Sequence, residues 1–381
     1  MTMAPASLVF YISGHGFGHA SREVEVINTI GAHRPELTIV LRTAVSGALL
    51  NRTLRTPVIR LEGPCDTGVI QRDSVTHDDD ATVREAAAFQ KTMADRVEAE
   101  LVRLRPFDVR AIVGDIPPMA FDVAARLDAP SIALANFTWD WIYEWYVEPL
   151  RAAPTLLEEI RRSYRRATHA LELPLSGGFE VFPKVTRIPF IARHSAHTRR
   201  EARRLLGLDP ERPVALLSFG GYGLQRLAIE ELDCLDDWTV LLTDRITSPG
   251  DRPRAEVQLI PESAFTGDLR YEDLVAAADV VVTKPGYGIV SECIAHDTAM
   301  LYTSRGHFRE YDRMVGEMPS LVRCRFIEQD DLFAGRWKNA LEALMQQPPP
   351  PRQMATDGAD QAAAIIQDAV DRCSAPASRG D

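Results

Sequence analysis

Residues 271–292 constrain the fold of this chain more than any other stretch. They predict a short helix, a continuously apolar strand over residues 279–283, and a turn on Pro285, Gly286 and Gly288 that opens a second helix. A strand that passes through a glycine turn into a helix gathers free backbone N–H groups and the positive end of the helix dipole at one point. The stretch therefore predicts an anion site at this turn.

Glu292 follows the turn, within the first turns of the second helix. A carboxylate cannot bind a phosphate, but it accepts hydrogen bonds from hydroxyl groups such as those of a ribose. An anion site beside a hydroxyl acceptor indicates a nucleotide. The alternative is an ordinary strand–turn–helix connection in which Ser291 or Glu292 only caps the helix.

Apolar strand-like runs alternate with helical segments along the rest of the chain. The predicted strands are residues 8–12, 37–42, 57–62, 111–113 and 131–135 in the first half, and 214–218, 239–242, 257–260, 279–283 and 299–302 in the second. Residues 66–81 predict a long loop, and residues 82–104 predict a single helix. The alternation is typical of parallel β–α–β units, so we expect an α/β chain of two doubly wound, Rossmann-like halves.

The two halves are joined near residues 173–193, which are rich in proline and glycine. We expect an N-terminal domain over residues 1–185 and a second domain over residues 186–352, which ends at four consecutive prolines. Residues 353–373 predict a final helix, and residues 374–381 predict a disordered tail.

The composition limits the partners. The net charge of −11 argues against nucleic acid, because such binders gain affinity from clustered Lys and Arg. Five scattered cysteines without paired spacing indicate no structural zinc and fit a reducing compartment. We find no signal-peptide pattern and no apolar run of membrane-spanning length. We therefore expect a soluble cytoplasmic protein without stable membrane insertion, and the oligomeric state stays open.

A second glycine-rich turn, residues 14–19, follows the first predicted strand. Ligands of open α/β sheets bind beyond the carboxyl ends of the strands, which places His19 at a helix start beside a ligand site. Because histidine titrates near neutrality, His19 is a candidate general base for a hydroxyl group. Asp115, at the end of another strand, is a candidate to orient His19. The alternative is that both residues only cap helices.

These motifs resemble a known family. Residues 271–292 are similar to the donor-binding signature of GT-B glycosyltransferases of the peptidoglycan N-acetylglucosaminyltransferase and diacylglycerol glucosyltransferase type. Residues 14–20 (G-H-G-F-G-H-A) and 136–140 (N-F-T-W-D) are similar to the glycosyltransferase-like N-terminal moiety of plant arabinokinases and its free-standing bacterial relatives. The resemblance implies two Rossmann-like domains that face a cleft and a final helix that returns to the first domain.

The resemblance also implies roles for single residues. The implied donor-binding residues are Gly220, Gly221, Tyr222, Leu269, Gly286, Tyr287, Gly288, Ser291, Glu292 and Glu310. Among them, Leu269 precedes the helix where relatives read the nucleobase, Glu292 would hold the ribose, and Glu310 would accept hydroxyls of the donor sugar. His19 falls on the position proposed as the base. An exposed glutamate at a helix start is the alternative for Glu310, and a tight strand–helix connection is the alternative for residues 220–223.

Acceptor-binding residues are expected in the first half, at His15, Gly16, Phe17, Gly18, Trp139 and Trp141. Aromatic faces stack on sugars and on apolar acceptors, so the aromatic block of residues 137–146 predicts an acceptor wall. The helical spacing of its members suits core packing equally well.

The acidic run at residues 77–80 (H-D-D-D) could be mistaken for a metal site. It precedes an amphipathic helix and does not end a strand, so we interpret it as a helix cap with an acidic first turn. We predict neither a metal nor a cofactor.

Together the motifs predict an inverting, metal-independent glycosyltransferase. It would move a sugar from a nucleotide-diphosphate sugar, expected to be UDP-linked, to a hydroxyl of a small soluble acceptor. Helix ends at the glycine turns would stabilise the leaving diphosphate. One alternative is a sugar-nucleotide epimerase or hydrolase of the same fold, with Asp115 and Glu310 as further acid and base groups. Another is a non-catalytic sugar-nucleotide sensor, which a His19 that is buried and away from the cleft would favour.

Overall fold

The computed structural model describes residues 5–71, 77–219, 227, 229–243, 256–265, 268–306 and 308–374. The chain forms two compact units: unit 1 holds residues 1–70, 78–191 and 357–381, and unit 2 holds residues 71–77 and 192–356. Residues 186–191, predicted to begin the second domain, lie in unit 1. Each unit is built on one parallel sheet, which confirms the predicted α/β class.

The strands of unit 1 are β1 (Ala6–Ile12), β2 (Thr38–Thr43), β3 (Ile59–Glu62), β4 (Asp108–Asp115), β5 (Ser131–Phe137), β6 (His169–Gly177) and β7 (Val185–Arg187). Their order is β3-β2-β1-β4-β5-β6-β7, so the winding of the sheet reverses between β1 and β4. The prediction of a connection over residues 173–193 was wrong for its first part. Pro174 hid β6, but it lies between the two stretches of β6 that pair with β5 and therefore removes no ladder hydrogen bond.

The helices of unit 1 that precede the second sheet are α1 (Gly16–His33), α2 (Gly47–Thr53), α3 (Asp79–Lys91), α4 (Met93–Leu104), α5 (Met119–Leu127), α6 (Trp139–Tyr143), α7 (Val147–Leu150) and α8 (Leu156–Tyr164). The single helix predicted over residues 82–104 is two helices, α3 and α4. Thr92 separates them, and its hydroxyl donates to the Phe89 carbonyl at 3.0 Å, a side-chain bond that competes with the helix ladder. The predicted cap is confirmed, because Asp78 accepts the Ala81 N–H at 2.9 Å.

Unit 2 repeats the architecture. Its strands are β8 (Val214–Ser218), β9 (Thr239–Thr243), β10 (Val257–Ile260), β11 (Val280–Thr283), β12 (Ala299–Tyr302) and β13 (Cys324–Phe326), in the order β10-β9-β8-β11-β12-β13. Its helices are α9 (Arg199–Leu205), α10 (Tyr271–Ala277), α11 (Tyr287–His296), α12 (Arg309–Glu317), α13 (Gln329–Phe333) and α14 (Lys338–Met345). Short 3-10 helices occur at Phe179–Val181, Ile229–Glu231, Glu262–Phe265 and Met318–Ser320.

The last helix, α15 (Gly358–Ser374), packs on α1 and β4 of unit 1. It buries Ala362, Ile366 and Val370, and Asp371 pairs with Arg34 at 3.1 Å. From residue 375 on, the predicted tail lies outside the described residues. None of the helices in the described ranges is long and apolar enough to cross a membrane.

Each sheet has its own apolar core. In unit 1, Val9 of β1 and Ile112 of β4 are fully buried against α5. In unit 2, Leu217 of β8 and Val282 of β11 are fully buried in a cluster that includes Trp337. The loops at the carboxyl ends of these central strands therefore begin at residues that are held in place by the packed core.

Candidate functional site

The candidate site of unit 1 lies where β1 and β4 end. The N–H of Ser13 donates to the Asp115 carbonyl at 2.8 Å, which ties the glycine turn after β1 to the last residue of β4. His15 is the N-cap of α1, and His19 follows within the first turns of that helix. His19 Nδ1 lies 2.8 Å from Asp115 Oδ1. The structure thus brings together the two residues predicted as base and orienting acid.

Arg22, one turn after His19, completes this cluster. Its Nε lies 2.6 Å from Asp115 Oδ2, its Nη2 lies 2.5 Å from Asp115 Oδ1, and its Nη1 lies 2.5 Å from Asn136 Oδ1. Burial alone would raise the pKa of Asp115, but the charges of Arg22 and His19 bring it below its usual value. Asp115 is therefore a buried carboxylate in a bidentate ion pair. We did not predict Arg22, although the i,i+3 spacing of His19 and Arg22 puts both on one helix face.

The hydrogen bond at Nδ1 decides the chemistry of His19. When Nδ1–H donates to Asp115, Nε2 keeps its lone pair and can accept a proton. Arg22 Nη2 also lies 2.9 Å from Nδ1, but it donates to Asp115 over the shorter distance of 2.5 Å. We therefore assign the Nδ1–H tautomer, in which Asp115 accepts from both neighbours and Nε2 is basic.

Trp139, predicted as part of an acceptor wall, is buried beside both histidines of the turn. Its ring centroid lies 5.4 Å from that of His15 and 6.1 Å from that of His19, and the ring stacks on Tyr143. Its Nε1 donates to Asp66 Oδ2 at 2.8 Å. Burial raises the pKa of Asp66, although hydrogen bonds and the charge of His19 oppose the rise. Asp66 is a second carboxyl group near His19, and we did not predict it because it opens the stretch interpreted as a loop.

The other predicted acceptor residues take different places. His15 Nδ1 accepts the Val69 N–H at 3.3 Å, which ties the chain after β3 to the start of α1. Residues 16–18 form the first turn of α1, and a Cβ atom on Gly18 would meet no described atom from outside its own helix within 4 Å. The helix start therefore has open space at Gly18. Trp141 packs on the glycines at the end of β6.

The candidate donor site of unit 2 follows β11, again where the winding of its sheet reverses. Gly286 is the N-cap of α11, so the N–H groups of the first helical turn have no acceptor four residues earlier within the helix, which is the arrangement of helix starts that bind anions. Among the described residues, the nearest atom to a Cβ placed on Gly286 would be Arg305 Nη1, at 3.8 Å. Within that part of the chain the turn therefore has space at Gly286 and a guanidinium beside it. We did not predict Arg305, which has no sequence motif in common with the turn.

Glu292, predicted to hold a ribose, is 2% exposed and paired with an arginine. Arg193 Nη2 and Nε lie 2.5 and 2.6 Å from Glu292 Oε1, and Arg193 Nη1 lies 3.7 Å from Glu272 Oε2. A ribose would meet a carboxylate that Arg193 already holds in place. Arg193 is therefore a further residue of the candidate donor site that we did not predict.

The remaining predicted donor residues are mostly engaged within unit 2. Glu310 is buried, and its Oε2 lies 3.0 Å from Arg305 Nη1. The hydroxyl of Ser291 donates to the Gly288 carbonyl at 2.9 Å. Tyr287 is buried, and Leu269 lies partly buried just before α10. Gly220, Gly221 and Tyr222 lie outside the described residues.

Metal-binding side chains are not clustered in the part of the chain that the structure describes: no group of three or more His, Cys, Asp or Glu there could hold an ion. Arginines bring positive charge to the two candidate sites, Arg22 in unit 1 and Arg193 and Arg305 in unit 2.

The chain has two doubly wound parallel sheets, each with a candidate site at its switch point, where the winding of the sheet reverses. This architecture defines an α/β protein of the GT-B fold. Solved structures confirm this fold. The calicheamicin glycosyltransferase CalG4 superposes with a TM-score of 0.63 at 14% identity, covering 98% of this chain and 99% of that one. A UDP-glucosyltransferase from Polygonum tinctorium, which glucosylates indoxyl, superposes with a TM-score of 0.57 at 14% identity, covering 100% and 96%.

No known protein-family profile matches the chain. The L-arabinokinase of Arabidopsis thaliana is 27% identical over 346 residues, which cover 89% of this chain and 32% of that protein. The chain thus spans about a third of the length of this relative. The likeness agrees with the arabinokinase resemblance of residues 14–20 and 136–140, whereas the peptidoglycan N-acetylglucosaminyltransferase type stays a prediction.

Proposed function

We propose that the chain is a glycosyltransferase that moves a sugar from a nucleotide-diphosphate sugar to a hydroxyl group of a small acceptor. The observation that carries this proposal is the His19–Asp115 contact of 2.8 Å at the switch point of a GT-B unit. A histidine whose Nδ1–H is held by a buried carboxylate is built to accept a proton at Nε2.

The chemistry divides between the two units. In unit 1, His19 Nε2 takes the proton of the acceptor hydroxyl, and Asp115 stabilises the imidazolium that forms. The acceptor oxygen then bonds to the anomeric carbon while the bond from that carbon to the diphosphate breaks, with inversion in one displacement. In unit 2, the N-terminus of α11 and the Arg305 guanidinium stabilise the negative charge of the departing diphosphate. These groups supply positive charge without a metal, so we propose a metal-independent reaction.

We propose a UDP-linked donor, because a structural relative is a UDP-glucosyltransferase and the family resemblance assigns Glu292 to the ribose. Arg193, which pairs with Glu292, would hold its carboxylate oriented for the ribose hydroxyls.

The decisive test replaces His19. A panel of UDP-sugars and acceptors is screened by mass spectrometry for product, and UDP affinity is measured by calorimetry on the same folded protein. Loss of a general base typically lowers turnover by about 10²–10⁴-fold. We expect that loss for His19→Ala with unchanged UDP affinity, and a smaller loss for Asp115→Asn. His33→Ala, in the last turn of the same helix, is the matched control. Near-full turnover of His19→Ala would overturn the proposed base.

The burial of His19 favours one second candidate, a nucleotide-sugar sensor without catalysis. His19 is only 5% exposed, which limits the access of an acceptor hydroxyl to its ring. A sensor would bind UDP-sugars but release neither product nor free UDP with any acceptor, in wild type and His19→Ala alike. Turnover that depends on His19 excludes this candidate.

A further inference from the structure

Unit 1 contains an open cavity of about 700 Å³ that the proposed transfer does not use. It lies between α6, α8 and the connection from β6 to β7, and Trp141, Arg161, Arg165 and Phe182 are among its lining residues. Its volume falls in the range of roughly 300–1,000 Å³ that is usual for small-molecule sites.

Helix α6 separates this cavity from the His19 cluster. Trp139 and Tyr143, four residues apart, stack on each other, and Trp139 contacts the ring of His19. A residue two positions further along a helix points about 200° away around the axis. Trp141 therefore lies on the other face of α6, where it lines the cavity.

The chain fixes Trp141 with two glycines. A Cβ atom on Gly177 would lie 2.3 Å from Cε2 of Trp141, and one on Gly178 would lie 2.6 Å from its Cβ. Gly178 also has a φ of 89°, in the left-handed region that glycine adopts without strain. Any side chain at either position would displace the tryptophan. The indole is thus a rigid aromatic wall seated directly on backbone.

The charges around the cavity select against an anion. Three carboxylates, Asp140, Glu144 and Glu180, and two guanidinium groups line it. Arg161 already pairs with Asp140 at 2.7 Å and with Glu144 at 3.1 Å, and Arg165 pairs with Glu158 at 2.6 Å. Both guanidinium groups are therefore already paired, and the lining holds three carboxylates against two guanidinium groups.

The same groups suit a neutral molecule that is rich in hydroxyls. A hydroxyl both donates to a carboxylate and accepts from a guanidinium, and hydrogen bonds to charged groups are the stronger ones. A sugar ring offers such hydroxyls around its edge and an apolar C–H face that matches an indole. We infer that this cavity binds a neutral saccharide, at a site separate from the His19 cluster. The inference goes beyond the proposed transfer, because binding here requires neither the donor nor His19.

The test is direct binding in the absence of nucleotide. Methyl β-glucoside, methyl β-galactoside, methyl β-xyloside and cellobiose are titrated into the full chain, and binding is followed by calorimetry and tryptophan fluorescence. We expect saturable binding of at least one probe, and truncation of the aromatic wall in Trp141→Ala should weaken it about ten-fold or more. Trp141→Phe, which keeps a ring on the glycines, should retain most of the affinity. Trp145→Phe, outside the cavity lining, is the matched control.

Two further measurements separate this site from the proposed active site. His19→Ala should bind the saccharide as the wild type does, and UDP should not compete with it. The inference is wrong if none of the four probes binds saturably, if Trp141→Ala binds as tightly as the wild type with both proteins folded, or if UDP displaces the saccharide. None of these outcomes bears on whether the chain transfers sugars.

Discussion

At the scale of single residues, Glu23 stands out because it is an acid inside the core of unit 1. Its side chain is fully buried, and within the described ranges neither carboxyl oxygen has a hydrogen-bond partner. Burial first, and then the charge of Asp115, raise the pKa of Glu23 well above its usual value. Arg22, its neighbour in sequence, donates hydrogen bonds to Asp115 and Asn136. Glu23 therefore stays protonated where Asp115 is ionised.

This difference predicts a pH-dependent stability. Between the unfolded-state pKa of about 4.3 and the raised pKa of the folded state, the native protein holds a proton that the unfolded chain has lost. Stability is therefore greatest below this window and falls as the pH rises through it, by up to about 1.4 kcal/mol per pH unit. Glu23→Gln removes the titration. In calorimetric unfolding we expect wild type and variant to be similar near pH 4, with the variant increasingly the more stable as the pH rises from there towards the raised pKa of the folded state.

Glu98→Gln provides the control for Glu23, since Glu98 is an exposed residue of α4. Its effect on stability should be small and nearly independent of pH. Stability curves of Glu23→Gln and wild type that run parallel over the whole pH range would show that Glu23 is ionised in the folded protein.

Arg305 allows a test of the anion site alone. If its guanidinium contacts the diphosphate, Arg305→Gln removes a charge-assisted hydrogen bond of about 1.5–3 kcal/mol. UDP affinity should then fall by about ten-fold or more, whereas uridine, which lacks phosphates, should bind unchanged. Arg305→Lys should lie between, and Arg313→Gln, exposed on α12, should have no effect. If calorimetry shows that UDP and uridine lose the same affinity, Arg305 does not contact the phosphates.

The sequence identified the residues whose position follows from a local rule. His19 follows the glycine turn after β1, and Asp115 is the last residue of β4. Because the carboxyl ends of parallel strands meet at one edge of a sheet, their contact could be expected. Arg193 and Glu292 are distant in sequence, and only the folding of the chain into unit 2 brings them together. Asp66 was missed because nothing local distinguishes a site carboxylate from one in a polar loop.

At the scale of elements, burial made the central strands the easiest to predict. The central strands β8 and β11 are buried along their whole length and therefore appear as continuous apolar runs. The edge strands β7 and β13 are three residues long and partly exposed, so they carry no such run. Helix breaks were equally hidden: Thr92 ends α3 through a side-chain hydrogen bond that the apolar periodicity does not report.

Helix α3 offers a prediction at this scale, because its start carries the acidic run that could be mistaken for a metal site. Asp78 accepts the Ala81 N–H at 2.9 Å as an N-cap. Replacement of such a cap by alanine costs about 0.5–2 kcal/mol. Asp78→Ala should therefore destabilise unit 1 by that amount in urea unfolding, and Asp80→Ala, inside the first turn, should cost less. If Asp78→Ala is as stable as the wild type, Asp78 does not act as a cap.

At the scale of the whole molecule, unit 1 is assembled from both ends of the chain. Helix α15 lies after all of unit 2 in sequence, yet Ile366 and Val370 are buried with α1 and β4. An amphipathic helix shows in its sequence that one face is buried, but not against which sheet. The family resemblance therefore predicted that α15 docks on unit 1, whereas its hydrophobic periodicity could not.

This assembly leads to a final prediction about how far the destabilisation caused by a core substitution extends through the chain. Ile366 of α15 and Leu341 of α14 are both fully buried, in the cores of unit 1 and unit 2 respectively. Truncation of such a side chain to alanine costs about 2–5 kcal/mol. Because each unit has its own core, hydrogen exchange followed by mass spectrometry should accelerate in β1 and β4 for Ile366→Ala, and in β8 and β11 for Leu341→Ala. UDP should slow exchange in unit 2 of both variants. If Ile366→Ala accelerates exchange in β8 and β11 as much as in β1 and β4, the two cores unfold as one cooperative structure and the C-terminal helix stabilises the entire chain.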